Sequence, residues 1–80
     1  MLTTYIRASM GRATYETLSD AGTVFGEIPG FDGVWANAAT RAECERELQE
    51  VLEDWLLLGL KLGHQLPVIE GIDLNAKVPA

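Results

Sequence analysis

The chain has 80 residues, of which 48% are hydrophobic and 22% charged, and its formal net charge is −6 at pH 7. This length supports a single domain spanning 1–80, and the composition excludes a disordered chain. The acidic balance disfavours direct nucleic-acid binding and would attract a basic partner. Because so small a core leaves apolar surface uncovered, we expect a homo-oligomer, either a dimer or a tetramer.

The sequence shows no transmembrane segment, no signal peptide and no sign of a disulfide-bonded secreted protein. Cys44 is the only cysteine, so no intrachain disulfide can form. The longest apolar run, 55–60, is far shorter than the roughly 20 residues of a membrane span. The N-terminus lacks the basic and apolar segments of a signal peptide. We therefore expect a cytoplasmic protein.

The first half of the chain predicts a short helix followed by three strands. Leu2, Ile6 and Met10 recur at helical spacing, which favours a helix ending at a left-handed Gly11, although an alternating strand also fits. Alternating and β-branched residues then predict strands at 12–18, 23–28 and 34–38. The turn at 19–22 makes the first two antiparallel, and Pro29 ends the second.

A long amphipathic helix is predicted next. Its start is the capping box at 40–43, in which the Thr40 hydroxyl accepts from the Glu43 amide, and its end is Gly63. One stripe of the helix should face the sheet: Cys44, Leu48, Val51, Leu52, Trp55, Leu58, Gly59 and Leu62. The fold class is therefore α+β, with an antiparallel three- to four-stranded sheet packed against this helix and a short N-terminal helix.

The last turns of this helix are apolar on almost every side. Either the C-terminal tail folds back over them, or they form a subunit or partner interface, with Leu56, Leu57 and Leu60 as candidate oligomer contacts. Residues 68–72 would supply a fourth, edge strand, and 77–80 should be frayed.

The residue types give no support for an active site. Cys44 and His64 lie at opposite ends of one helix and cannot pair, so Cys44 is expected in the core and no zinc site is expected. Glu16 and Glu27, on neighbouring strands, could bind magnesium in a nuclease, but exposed carboxylates are commoner than metal sites. We expect no enzymatic activity, no catalytic residue, no metal and no cofactor.

Three residues around the third strand are candidates for binding a partner protein: Phe31, Asp32 and Trp35. The loop that precedes the strand should be exposed, and aromatic residues dominate interface hot spots. The alternative is that Trp35 faces the helix and belongs to the core, as Trp55 should.

The order of these elements resembles the HicB-like antitoxin family, which has a partial RNase H-like fold. The resemblance covers about 13–67. It is carried by Tyr15-Glu16-Thr17-Leu18, by Gly22-Thr23-Val24-Phe25-Gly26-Glu27-Ile28-Pro29-Gly30, by Gly33-Val34-Trp35-Ala36, by Thr40-Arg41-Ala42-Glu43, and by the helix exit Gly63-His64-Gln65-Leu66-Pro67.

This resemblance implies an antitoxin that binds a small basic RNA-cleaving toxin and covers its active surface. Family members often carry a C-terminal DNA-binding module, whereas here we expect a stand-alone domain without one. The alternative function is a homo-oligomeric structural or regulatory domain with no toxin partner. The resemblance does not bring the catalytic carboxylates of the RNase H-like fold.

Overall fold

The computed structural model describes residues 2–74 and has the expected α+β architecture. Its elements are α1 at Leu2–Met10, β1 at Thr14–Leu18, β2 at Thr23–Glu27, β3 at Trp35–Ala38 and α2 at Arg41–Leu62. The strands form one antiparallel sheet in the order β1-β2-β3. The α2 helix packs on β2 and β3, and α1 contacts α2. The predicted helices and the three predicted strands are therefore confirmed.

The end of α1 differs from the expectation of a left-handed glycine. The Gly11 amide donates to the Arg7 carbonyl oxygen at 3.0 Å, which continues the helical pattern. The amides of Arg12 and Ala13 then donate to carbonyls three residues back. Gly11 is not among the glycines with positive φ. The helix thus ends by tightening into 3₁₀-type bonds, which need no left-handed residue.

The β1–β2 hairpin sets which side chains share a face of the sheet. Its register pairs Leu18 with Thr23 at the turn and Thr14 with Glu27 at the far end. Gly22 closes the turn with φ 66°, a conformation that glycine adopts without steric cost. Antiparallel partners point to the same side, so the register fixes two faces, one against α2 and one away from it.

The β2–β3 connection folds into two successive turns. The Phe31 amide donates to the Ile28 carbonyl oxygen at 3.1 Å, and the Val34 amide donates to that of Phe31 at 3.2 Å. Gly30 and Gly33 occupy the left-handed positions of these turns, at φ 89° and 86°. The turns direct Ile28, Phe31 and Val34 into the core, where each is at most 3% exposed.

Both ends of α2 are capped at the predicted residues, although of the two hydrogen bonds of the predicted capping box residues 2–74 show only the one to the Thr40 hydroxyl. Thr40 Oγ1 accepts a 3.2 Å hydrogen bond from the Glu43 amide. Gly63 is left-handed at φ 72°, and the next amide, of His64, donates to the Gly59 carbonyl oxygen at 2.8 Å. These caps satisfy backbone groups that the helix itself leaves without partners.

The buried face of α2 departs from the predicted stripe in its last turns. The buried residues are Cys44, Leu48, Leu52, Leu56 and Gly59. Leu58 and Leu62, which were predicted to be buried, are 54% and 57% exposed. The reason is the C-terminal segment, whose Leu66 packs so closely on Gly59 that a β-carbon there would lie 2.9 Å from Leu66 Cδ2. The tail therefore covers one side of the helix end and leaves the others open.

The segment after α2 does not add a strand to the sheet. Ile69 and Ile72 form only an isolated bridge around a tight turn, in which Glu70 and Gly71 have φ 48° and 78°. The fourth strand predicted at 68–72 is thus wrong for the described chain, and the fraying expected at 77–80 lies outside the described residues. Among residues 2–74, no helix has the length and apolarity needed to cross a membrane.

Candidate protein-interaction surface

The face of the sheet that points away from α2, called here the outer face, combines aromatic and acidic side chains. Its residues follow from the register: Thr14, Glu16, Leu18, Thr23, Phe25, Glu27, Trp35 and Asn37. The opposite face carries Gly26, Ala36 and Ala38, all of which are buried. No element within residues 2–74 packs on the outer face as α2 packs on the inner one. Within this part of the chain the outer face is therefore left uncovered.

Two aromatic rings lie side by side on this outer face. Phe25 and Trp35 stack with their centroids 6.0 Å apart and their planes inclined by 25°. Trp35 is 55% exposed, whereas Phe25 is half-buried. In the register Glu27 is directly opposite Trp35, and Glu16 is opposite Phe25. Each ring of the pair thus has a carboxylate as its cross-strand neighbour.

Trp35 and Asp32, two of the three predicted binding residues, are exposed. Asp32 lies in the second turn of the β2–β3 connection. The alternative that Trp35 faces the helix is wrong, because Ala36 and not Trp35 lies on the inner side of β3. Phe25 was not among the predicted binding residues, although its spacing of two from Glu27 in a strand is the signal that puts both on one face.

Phe31 was predicted to be an exposed binding residue and is instead a core residue, 3% exposed. Its ring lies edge-on to Tyr5 at 6.3 Å and to Trp55 at 5.2 Å between centroids. The two consecutive turns fold the loop inward at this residue, so Phe31 is buried although the loop around it is exposed. Phe31 therefore joins α1, the loop and α2, and it is not available to a partner.

A second exposed surface lies at the C-terminal end of α2. Leu57, Leu58, Leu60 and Leu62 are 62%, 54%, 41% and 57% exposed. A groove of about 240 Å³ runs between this end of α2 and α1, lined by Leu2, Ile6, Glu53, Leu56, Leu57 and Leu60. Of the predicted oligomer contacts, Leu57 and Leu60 are exposed, whereas Leu56 is only 2% exposed because it packs into its own core. The prediction of Leu56 as an exposed contact is wrong.

The ionisable groups of the interior do not form a reactive cluster. Cys44 is fully buried, as predicted, and its Sγ donates a 3.5 Å hydrogen bond to the Ala36 carbonyl oxygen. Burial raises the pKa of the Cys44 thiol, and the charge of Glu47 adds to the rise. Within residues 2–74 no three His, Cys, Asp or Glu side chains converge as a metal site would require.

These features define a two-layer α+β domain with an open, acidic and aromatic sheet face. A family model described as UPF0150-like matches residues 4–67 of the chain. The chain therefore belongs to the UPF0150-like family. Among solved structures it is similar to TTHA0281 from Thermus thermophilus, with 40% sequence identity and a TM-score of 0.85 over 99% of this chain and 95% of that one. No curated protein sequence matches the chain.

Proposed function

We propose that this chain is a HicB-like, antitoxin-type module that neutralises a small basic RNA-cleaving toxin by covering its active surface, and that it catalyses no reaction. The observation that carries the proposal is the exposed Trp35 ring beside Glu27 on a sheet face that no other described element covers. The order of elements that resembles HicB-like antitoxins falls within the UPF0150-like match at 4–67. An RNA-cleaving partner also implies a cytoplasmic location.

The charge of the outer face supports a basic partner. The three strands contain Glu16 and Glu27 and neither lysine nor arginine. The whole chain has 12 acidic and 6 basic residues. Such a field steers a basic protein towards the surface and accelerates its association, with an effect that falls as salt rises.

The aromatic pair supplies the short-range recognition that a diffuse charge lacks. A cation positioned within about 6 Å of a tryptophan centroid is attracted by the ring, and tryptophan is the best such acceptor. An arginine of the partner would stack on Trp35 and place its guanidinium against the Glu27 carboxylate, since arginine both stacks on rings and pairs in a fork with carboxylates. The site therefore favours an arginine over a lysine.

Co-expression with the products of the neighbouring genes tests the proposal. We expect light scattering coupled to size exclusion to detect a heteromer that contains a small basic protein. Trp35→Ala and Glu27→Lys should each weaken that complex at least tenfold. Glu50→Lys is the matched control, because it makes the same charge change at an exposed position of α2. Equal weakening by Glu27→Lys and Glu50→Lys would mean that only net charge matters, and would contradict a site on the outer face.

A stand-alone homo-oligomeric domain with a structural or regulatory role is the second candidate. The observation that favours it is the set of four exposed leucines at the end of α2. Under this alternative the chain forms a stable oligomer whose mass no neighbouring gene product changes. The same co-expression experiment therefore separates the two functions, because only the antitoxin-type module recruits a second polypeptide.

A further inference from the structure

The helical positions of α2 fix which of its exposed leucines project farthest from the core. Successive residues of an α-helix are rotated by about 100°, so residues nine apart lie on opposite sides. Leu57 is nine residues after Leu48, which is fully buried. Leu57 therefore points directly away from the sheet, and its 62% exposure agrees with this direction.

Two opposite charges flank Leu57 on the same side of the helix. Asp54 and Lys61 are both exposed and are seven residues apart. Seven residues rotate a helix by about 20° less than two full turns, so the two side chains lie on nearly the same side. They are about 10 Å apart along the helix axis, too far for a direct ion pair within one helix. No ion pair joins either side chain to another residue of 2–74. Each charge is thus available to a group outside residues 2–74.

We infer that the α2 helices of two copies of this chain pack antiparallel about a two-fold axis that passes between Leu57 and Leu58. In such an arrangement the two copies present the same patch to each other. Side chains on one flank of the first α2 helix then lie beside those on the same flank of the second. Asp54 of one copy then lies level with Lys61 of the second copy, and the pair occurs twice. The surface is therefore complementary to itself in charge.

The groove beside Leu57 gives this arrangement its apolar contacts. It is lined from α1 by Leu2 and Ile6 and from α2 by Leu57 and Leu60. The second copy inserts its own Leu57 into this groove and receives the first copy's Leu57 in the equivalent one. Glu53 falls level with position 62 of the second copy, whose side chain points away from the contact, and no carboxylate lies at 58–66. The register therefore avoids repulsion between like charges along the contact.

This surface is separate from the outer face proposed for the partner, so the two-fold contact does not depend on partner binding. It supplies a geometry for the homo-oligomer of the second candidate function. Leu58 and Leu62 lie on the side of α2 next to Trp55 and stay outside this contact. They provide a control of matched character, because Leu62 is 57% exposed and Leu57 is 62% exposed.

The first test is the solution mass of the purified chain and two variants. We expect the wild type and Leu62→Asp to be dimeric or larger, and Leu57→Asp to shift to monomers, with a dissociation constant raised at least a hundredfold. Circular dichroism would verify that both variants keep the helical content of the wild type. A monomeric wild type, or loss of association in Leu62→Asp but not in Leu57→Asp, would overturn the inference.

The second test addresses the register. Asp54→Lys and Lys61→Asp should each weaken the dimer about tenfold or more, and the double variant, which has the wild-type net charge, should restore it. Because the two positions cannot pair within one helix, restoration reports a contact between copies. A further check is Leu57→Cys, which should form a covalent dimer with oxidised glutathione, whereas Leu62→Cys should not. Cys44 is fully buried and does not compete.

The outcomes are distinguishable from those of the proposed function. Failure of the double variant to recover association, with both single variants monomeric, would show that the register is wrong. An intact heteromer with a basic partner would leave the antitoxin-type proposal standing even then. Conversely, a dimer with this register and no heteromer would support the stand-alone alternative.

Discussion

Tyr5 and Pro67 are 62 positions apart in the chain and are joined by a hydrogen bond of 2.6 Å from the tyrosine hydroxyl to the proline carbonyl oxygen. Tyr5 is fully buried on α1 and lies edge-on to Phe31. The bond therefore ties the first helix to the segment that follows α2. That segment buries Leu66 and Ile69, so the bond holds in place the part of the chain that covers Gly59.

Tyr5→Phe should lower the free energy of unfolding by about 1–2 kcal/mol. The change keeps the ring but removes the donor, which leaves the part-buried Pro67 carbonyl without this partner. Urea unfolding followed by circular dichroism measures the loss. Tyr15→Phe is the control, because the Tyr15 ring contacts the Arg41 guanidinium at 4.4 Å through its face and not through its hydroxyl. An equal loss in the two variants would contradict a specific role of the Tyr5 hydrogen bond.

Phe31 and Trp35 are four residues apart, but their replacement by alanine should lower the unfolding free energy by very different amounts. Phe31→Ala removes a ring packed between Tyr5 and Trp55, so we expect a loss of about 3–4 kcal/mol in unfolding free energy. Trp35→Ala removes an outer ring that is 55% exposed, so its cost should stay below about 1 kcal/mol. The unfolding free energies of the two variants therefore distinguish a core residue from a surface residue. Loss of partner binding alone does not, because an unfolded variant also fails to bind.

Urea unfolding of both variants is the measurement. A Trp35→Ala cost as large as that of Phe31→Ala would mean that the Phe25–Trp35 stack is part of the core. The partner-binding comparison with Glu27→Lys would then need a folded Trp35→Phe variant in place of Trp35→Ala.

The elements of this fold were predictable because each carries a local signal. Thr40 and Gly63 mark the ends of α2 by the chemistry of their own backbone and side chains, and the structure confirms both. Gly22 marks the hairpin in the same way. The alternation of Phe25 with Glu27 indicated which strand positions share a face. Signals of this kind depend only on near neighbours in the chain, so they can be recognised in the sequence before the fold is known.

The errors concern contacts between distant parts of the chain. Phe31 is buried by Tyr5 and Trp55, neither of which is near it in sequence, so its loop position indicated exposure. Leu56 and Leu58 are two residues apart in one apolar run, and only the packing of the tail and α1 decides which of them is covered. Periodicity cannot make this choice where every side of a helix is apolar.

Gly26 of β2 lies between Tyr15 of β1 and Cys44 of α2, and Gly26→Ala should lower the unfolding free energy by about 1–3 kcal/mol. A β-carbon at this position would lie 2.9 Å from Cys44 Sγ and 3.0 Å from two ring carbons of Tyr15. Gly59→Ala is the control: its β-carbon meets only the end of the Leu66 side chain at less than 3 Å, and alanine favours the helix. Its cost should therefore be smaller.

Urea unfolding compares the two glycine variants, and adding Cys44→Ala to Gly26→Ala gives a direct test of the contact. Removal of the sulfur should recover part of the loss, so the double variant should be more stable than the sum of the single costs predicts. Strict additivity would show that Gly26 is required for another reason.

Cys44 should make the stability of the chain fall at alkaline pH. Burial raises the pKa of its thiol in the folded chain, whereas the unfolded thiol has an ordinary pKa of about 8.5. The folded state therefore keeps a proton that the unfolded state releases. This contribution is fully present below the ordinary thiol pKa and is lost as the pH rises through the raised one. Burial also raises the pKa values of Tyr5 and Tyr15, which extends the decline beyond about pH 10.

Urea unfolding at intervals from about pH 7 to 10 measures this dependence, with Cys44→Ala as the comparison. The alanine variant should be less stable at neutral pH, because it leaves a small cavity between Gly26 and α2, but its unfolding free energy should fall less steeply from about pH 8.5. The slope is the decisive quantity, because the cavity cost does not change with pH. Identical slopes in the two proteins would show that the thiol ionises as readily in the folded chain as in the unfolded one, and would contradict its burial.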